Sequence, residues 1–154
     1  MHRRKLMLTV SGAFAFICAE TRRGFAWTLL TTEEVSEETK AQPPKEEPAL
    51  AAPVGAPVIE VLEPDSSRPI KAPVNIRIRF RAQQGATIDP ATFRAKYGWL
   101  GLDITGRLIG HAKIDAAGVS ADNAEIPAGH YMVTLQIADS LGRVGTRALE
   151  FTIA

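Results

Sequence analysis

The residues whose type and spacing point most clearly to chemistry are three arginines that alternate along one segment. Arg77, Arg79 and Arg81 stand at every second position after Asn75. Because side chains alternate across a β-strand, this spacing places the three guanidinium groups on one face. Such a stripe attracts an anionic partner such as peptidoglycan, lipid headgroups or an acidic protein segment. The alternative is pairing with carboxylates of the same sheet, for which the candidates are Glu60, Glu63 and Glu150.

The two tryptophans are the other candidate contact residues. Trp27 lies in the apolar segment 25–30, which either packs on the protein or a membrane surface, or binds a partner. Trp99 follows Gly98 and belongs to a segment that predicts a strand over 99–104. We expect Trp99 in the core, and the alternative is an exposed aromatic side chain that stacks on a sugar or peptide. The candidate partner-binding residues are therefore Arg77, Arg79, Arg81, Trp27 and Trp99.

Catalytic and metal-binding patterns are not evident in the sequence. His111 and His130 stand apart from any nucleophile arrangement, and Ser140 beside Asp139 is typical of a turn. The aspartates in turn-like contexts are expected to cap those turns rather than bind calcium, and they are Asp65, Asp103, Asp115, Asp122 and Asp139. We predict a protein that is not an enzyme, with no catalytic, cofactor-binding or metal-binding residues and no cofactor.

Charge and its distribution indicate where the protein works. The chain has 18 Lys and Arg against 17 Asp and Glu, and this balance argues against a nucleic-acid partner. Arg3, Arg4 and Lys5 precede an apolar run over 6–19, which predicts a signal peptide over 1–19. The basic residues favour the general export pathway, and the twin-arginine pathway is the alternative. No small residue directly precedes Cys18, so a lipoprotein is disfavoured. We expect a periplasmic or secreted protein, associated with a membrane only if the signal stays uncleaved.

Residues 20–56 differ in composition from the rest. They are rich in proline and acidic residues, and they predict a flexible linker. Within it, Thr31 and Glu34 form a capping-box pattern that predicts a short helix over 32–40. The acidic side chains of this helix could fold back on the arginine stripe.

Residues 57–154 predict an all-β domain. Clean two-residue alternation over 74–81, 130–137 and 147–153 gives strands with one buried face, and shorter candidates lie at 58–62, 92–97, 99–104 and 118–124. Residues 107–114 remain open between an irregular turn and a helical turn. About seven short strands without a long amphipathic helix predict an antiparallel, immunoglobulin-like two-sheet β-sandwich.

Several segments carry a resemblance to a known class of proteins. The sequence from Pro127 to Leu135 and the following turn from Ala138 to Arg143 resemble bacterial extracytoplasmic immunoglobulin-like domains, as do the segments that begin at Pro57, Pro73 and Thr87. The resemblance implies the sandwich fold but supplies no function. The hypothesis is a non-catalytic binding or structural module of the bacterial cell envelope, with a protein or an anionic envelope component as partner. The alternative is an accessory subunit that docks through residues 25–40 to an envelope enzyme or transporter.

Overall fold

The computed structural model describes residues 26–41 and 52–154, which form two packed β-sheets and two short helices. The five-stranded sheet has the order β1-β7-β3-β2, with β6 also paired to β7. Its strands are β1 (Trp27–Thr28), β2 (Val58–Glu63), β3 (Val74–Arg81), β6 (Ala112–Asp115) and β7 (Gly118–Glu125). The four-stranded sheet has the order β5-β4-β8-β9. Its strands are β4 (Ile88–Tyr97), β5 (Leu102–Asp103), β8 (Gly129–Asp139) and β9 (Val144–Ile153). The helices are α1 (Thr32–Lys40) and α2 (Thr105–His111).

The hydrophobic core lies between the two sheets. In β3 the predicted alternation is confirmed, because every second side chain from Val74 to Phe80 is buried. The ring centroid of Phe80 lies 5.8 Å from that of Phe93 on the opposite sheet. Tyr131 and Leu135 on β8 are also buried, as their alternation predicts. The all-β sandwich that the sequence predicts is therefore present.

Two local features link the strands around the carboxyl-terminal hairpin. The hydroxyl of Tyr131 donates a 2.6 Å hydrogen bond to the carbonyl of Pro127, as in the tyrosine corner of immunoglobulin-like sandwiches. At the other end of β8, Asp139 accepts hydrogen bonds from the backbone N–H groups of Leu141 and Arg143. Gly142 adopts the predicted left-handed conformation, with φ of 73°. The hairpin signal in the sequence is thus confirmed.

The strand predicted over 99–104 is wrong. Gly98 and Gly101 both adopt positive φ and fold the chain into a turn, so that β5 retains only Leu102 and Asp103. The segment left open in the sequence begins with α2 and continues directly into β6. Strand β6 pairs with β7 and so adds further outward side chains to the five-stranded sheet.

The amino-terminal segment 26–41 is packed on the sandwich, which corrects the prediction of a flexible linker at these residues. Leu29 and Leu30 are buried in the core, and β1 pairs in parallel with the end of β7. The predicted helix is present over 32–40, and the capping box between Thr31 and Glu34 is complete. The reason for the packing is hydrophobic, since Trp27, Leu29 and Leu30 belong to the same buried apolar cluster as the core residues of both sheets.

Candidate binding face

The outer surface of the five-stranded sheet carries the arginine stripe, and we call it the basic face. Arg77, Arg79 and Arg81 all point away from the core, as predicted from their alternation. Lys113 on β6 points the same way, because it stands opposite Ser120 on β7, which in turn stands opposite Arg77 on β3. The basic face therefore has cationic side chains on two strands that flank β7.

Carboxylates of the same sheet pair with these arginines. The guanidinium of Arg77 forms an ion pair with Asp122 and donates a 2.8 Å hydrogen bond to the carbonyl of Ala121. Glu60 on β2 lies 3.0 Å from Arg81 and 3.8 Å from Arg79. Pairing within the sheet, one of the two interpretations of the stripe, is therefore present through Glu60. Arg79 and Arg81, which are half-exposed, share the single carboxylate of Glu60, so the stripe keeps an excess of positive charge. Exposed ion pairs of this kind contribute little to stability.

A shallow trough of about 310 Å³ runs over β7 on the basic face. Gly118 and Ser120 form its floor, and their small size keeps the floor low. Position 118 has to be glycine, because a Cβ there would overlap the backbone carbonyl of Ile78. The longer side chains of β3 and β6 form its walls, and the polar and charged ones are Arg77, Arg79, Lys113 and Asp115. The trough thus arises from small residues on one strand between long residues on its neighbours.

The lining of the trough is electropositive. Three cations and one carboxylate line it, and when Arg81 and the carboxylates of Glu60 and Asp122 just outside it are included, the face has four cations against three carboxylates. A hydrogen bond from the N–H of Ala117 lowers the pKa of Asp115, so this carboxylate is ionised at neutral pH. Lys113 lies 3.7 Å from Asp115, whereas the partners of the arginines, Glu60 and Asp122, stand outside the trough. The arrangement can bind an anion through charge-assisted hydrogen bonds.

A second exposed feature is the turn over 98–102 between β4 and β5, which we call the Trp99 turn. Trp99 is 46% exposed and Leu100 is 64% exposed, so the expectation of a core tryptophan is wrong. The cause is the pair of glycines, which takes the side chains out of the strand alternation. The alternative interpretation, an exposed aromatic side chain, describes the observed position.

Glu38 of α1 holds the Trp99 turn in place. Only 8% of this residue is exposed, and its carboxylate accepts hydrogen bonds from the backbone N–H groups of Trp99 and Leu100. Gly98 packs against the same carboxylate, which a Cβ at that position would overlap. A buried carboxylate from the amino-terminal segment therefore sets the conformation of an exposed apolar turn.

Trp27, the remaining candidate contact residue, is buried in the protein. Its indole stacks on the ring of His111 with a centroid distance of 4.5 Å, and its Nε1 donates a 2.9 Å hydrogen bond to the carbonyl of Asp122. The structure thus brings Trp27 close to one end of the basic face but gives it an internal role. Packing on the protein was one of the interpretations left open for this segment.

The acidic helix does not contact the arginine stripe. Glu34 instead forms a bidentate pair with Arg107 of α2, with distances of 2.7 and 2.5 Å. Hydrogen bonds from Arg107 lower the pKa of Glu34 from 4.5 to about 2. Arg107 also donates a 2.9 Å hydrogen bond to the carbonyl of Leu29. The acidic side chains Glu34 and Glu38 therefore attach the amino-terminal segment to the domain.

Most aspartates of the predicted turns cap those turns. Each of four carboxylates accepts a hydrogen bond from the backbone N–H two residues ahead, and these are Asp65, Asp103, Asp115 and Asp139. Asp122 departs from this pattern because it pairs with Arg77. Within residues 26–41 and 52–154, no group of three or more His, Cys, Asp or Glu side chains is placed to hold a metal ion.

Three residues of these surfaces were not predicted from the sequence as parts of a site. Lys113 was missed because β6 is only four residues long, and Ser120 because the pairing of its strand with β3 and β6 was not predicted. Glu38 was assigned to an acidic helix that could fold back on the arginine stripe, and nothing local in the sequence marks its contact with a turn 61 residues away. For Lys113 the one available signal was its place in a short alternating segment, from Ala112 to Asp115.

The fold and the basic face define a two-sheet β-sandwich with an electropositive outer sheet. No protein-family model matches the chain, and no curated protein matches it. Among solved structures it is similar to the crystal structure of CopC from Methylosinus trichosporium OB3b, with a TM-score of 0.42 and 20% sequence identity. That match covers 62% of this chain and 93% of the other. A similarity of this strength carries no argument about activity, so function has to follow from the residues of this chain.

Proposed function

We propose that the protein is an exported, non-catalytic binding module of the bacterial cell envelope. The observation that carries the proposal is the basic face, on which Arg77, Arg79 and Arg81 project side by side from one strand. Components of the envelope such as lipid headgroups and peptidoglycan present many anionic groups, and a cationic surface attracts them. Export follows from the predicted signal peptide, and residues 1–19 lie outside the described residues. Among the described residues, no helix is long and apolar enough to cross a membrane.

In-cell crosslinking tests this function directly. A photoreactive amino acid at position 79 lies on the basic face, whereas one at position 148 lies on the exposed edge strand β9 of the other sheet. We expect position 79 to give adducts with an envelope component and position 148 to give none. Equal labelling at the two positions, or labelling of cytoplasmic components, would contradict the proposal.

A second candidate function is a contact with a protein partner through the Trp99 turn. The observation in its favour is that Glu38 fixes the turn while Trp99 and Leu100 remain exposed, because apolar anchors bind best when they are ordered beforehand. A photoreactive group at position 100 tests this contact. The expected result is a single adduct that disappears when Trp99 is changed to alanine.

The alternative function, an accessory subunit that docks through residues 25–40, has less exposed apolar surface available than the sequence predicts. Trp27, Leu29 and Leu30 are buried in the protein itself. The exposed residues of α1 are polar or charged, and they are Thr32, Glu33, Ser36, Glu37, Thr39 and Lys40. A partner of this segment would therefore have to recognise a polar helix face rather than an apolar segment.

A further inference from the structure

We propose that the trough over β7 binds a dianionic phosphoryl group, of the kind that a phosphomonoester presents. This inference deepens the proposed function, on which it rests, because it names the ligand chemistry of the basic face. It also assigns roles to Lys113 and Ser120, which the arginine stripe alone does not include.

The register of the strands places the donors side by side. Lys113, Ser120 and Arg77 form one row across β6, β7 and β3. Adjacent strands lie about 4.8 Å apart, so the two cationic residues originate roughly 10 Å from each other, with the serine hydroxyl between them. Arg79 stands opposite Gly118 in the next outward row. A tetrahedral oxyanion above Ser120 can therefore meet donors from three strands.

Charge and donor chemistry favour a phosphoryl group over a single carboxylate. The lining has three cations against one carboxylate, and this arrangement attracts a phosphomonoester, whose charge is about −1.5 to −2 at neutral pH. Guanidinium groups offer paired N–H donors to phosphate oxygens, and the ammonium group adds a further point charge. Asp115 opposes an anion at one edge of the trough, so the ligand is expected to lie nearer to Ser120 than to Asp115.

The position of Arg77 supports an ordered site. Its guanidinium is oriented by Asp122 and by the carbonyls of Ile76 and Ala121. Ordering in advance reduces the side-chain entropy that binding would otherwise cost. Lys113, by contrast, is largely exposed and lies 3.7 Å from its carboxylate, so it can turn towards a ligand.

Two sources can supply this chemistry, namely a lipid headgroup and a soluble phosphomonoester. Inorganic phosphate serves as the soluble probe, and it is titrated at constant ionic strength against chloride while the backbone amide signals of Gly118 and Ser120 are followed by NMR. Vesicles of phosphatidylcholine with and without phosphatidic acid serve as the lipid probe in a sedimentation assay. Binding to the soluble probe alone or to the lipid probe alone identifies the source, and either result supports the trough if the variants below behave as expected.

Three variants decide whether the trough is the site. Lys113→Gln removes a charge from the trough, and Arg81→Gln removes one from the same face outside it. We expect roughly tenfold weaker binding for Lys113→Gln, as for the loss of a charge-assisted hydrogen bond, and less than about twofold for Arg81→Gln. Ser120→Leu fills the trough without changing its charge and should abolish binding, while thermal unfolding reports that the variant is folded.

The contradicting results are equally specific. Equal weakening by Lys113→Gln and Arg81→Gln would show general charge attraction and overturn the inference. So would unchanged binding in a folded Ser120→Leu protein, or the absence of binding to both probes. If these results appear while position 79 still crosslinks to the envelope, the trough inference fails and the proposed function stands.

Discussion

Truncation of Leu30 tests whether the amino-terminal segment is part of the domain. Leu30 is 1% exposed, and Leu30→Ala removes about three carbon groups from the core. At about 0.8 kcal/mol for each buried group, the lost transfer free energy is about 2.4 kcal/mol. The cavity left behind raises the total into the range of about 2–5 kcal/mol, and we expect about 3 kcal/mol because α1 can partly collapse into the space.

The matched control is the same change at an exposed leucine. Leu100 is 64% exposed on the Trp99 turn, so Leu100→Ala is expected to change the free energy of unfolding by no more than about 0.5 kcal/mol. Equilibrium denaturation in urea measures both variants under the same conditions. If Leu30→Ala costs no more than Leu100→Ala, residues 26–41 are a loosely attached linker, and the assignment of the segment to the core is refuted.

Three further predictions concern the helix, the core register and the turn. Because the pKa of Glu34 lies at about 2 in the folded protein and 4.5 otherwise, its stabilisation is complete above about pH 5 and is lost as the pH falls towards 2. The full pKa shift corresponds to roughly 3 kcal/mol, and solvent screening of the partly exposed Arg107 reduces this to about 1–2 kcal/mol. Denaturation over this pH range should therefore show a smaller loss of unfolding free energy for Glu34→Gln than for wild type. In urea denaturation, Leu135→Ala at a buried position should lower the free energy of unfolding by about 2–5 kcal/mol, and Thr134→Ala at an outward position by less than about 0.5 kcal/mol. Equal losses at the two positions would mean that the strand register is wrong. Glu38→Ala leaves the backbone N–H groups of the turn without their acceptor, so amide hydrogen exchange there should accelerate, and unchanged exchange would contradict the positioning role.

Local pattern was sufficient to predict the long strands of the sandwich, although it gave a strand over 99–104 where the chain turns and left the short β6 open. Alternation in β3 and β8 gave the correct inward faces, because a two-residue period decides which face a side chain occupies. The turn around Gly142 was predicted from its residue types, since a left-handed position favours glycine. The arginine stripe followed from the same alternation, so part of the candidate site was predictable.

Contacts between distant parts of the chain were not predictable in this way. Trp27 and Asp122 are 95 residues apart, and no local pattern shows that β1 joins the end of β7. The exposure of Trp99 depends on the conformation of Gly98 and on the carboxylate of Glu38, which only the folded chain brings together. The trough depends on pairing between strands, and that pairing requires the short β6 to be recognised first.

The most direct test of the central claim is the binding of purified envelope fragments by the wild type and by the triple variant with Arg77, Arg79 and Arg81 changed to glutamine. The triple change leaves the buried side chains of β3 in place, so the variant should stay folded. Its melting temperature should fall, but only modestly, because Arg77 loses its pair with Asp122 and two hydrogen bonds to backbone carbonyls, whereas the pairs with Glu60 are exposed. The wild type should bind, and its binding should weaken as salt rises past about 0.15 M, where the screening length is about 8 Å. The triple variant should bind poorly at every salt concentration. Equal, salt-independent binding by both proteins would contradict the account, and so would a variant that loses binding only because it has unfolded.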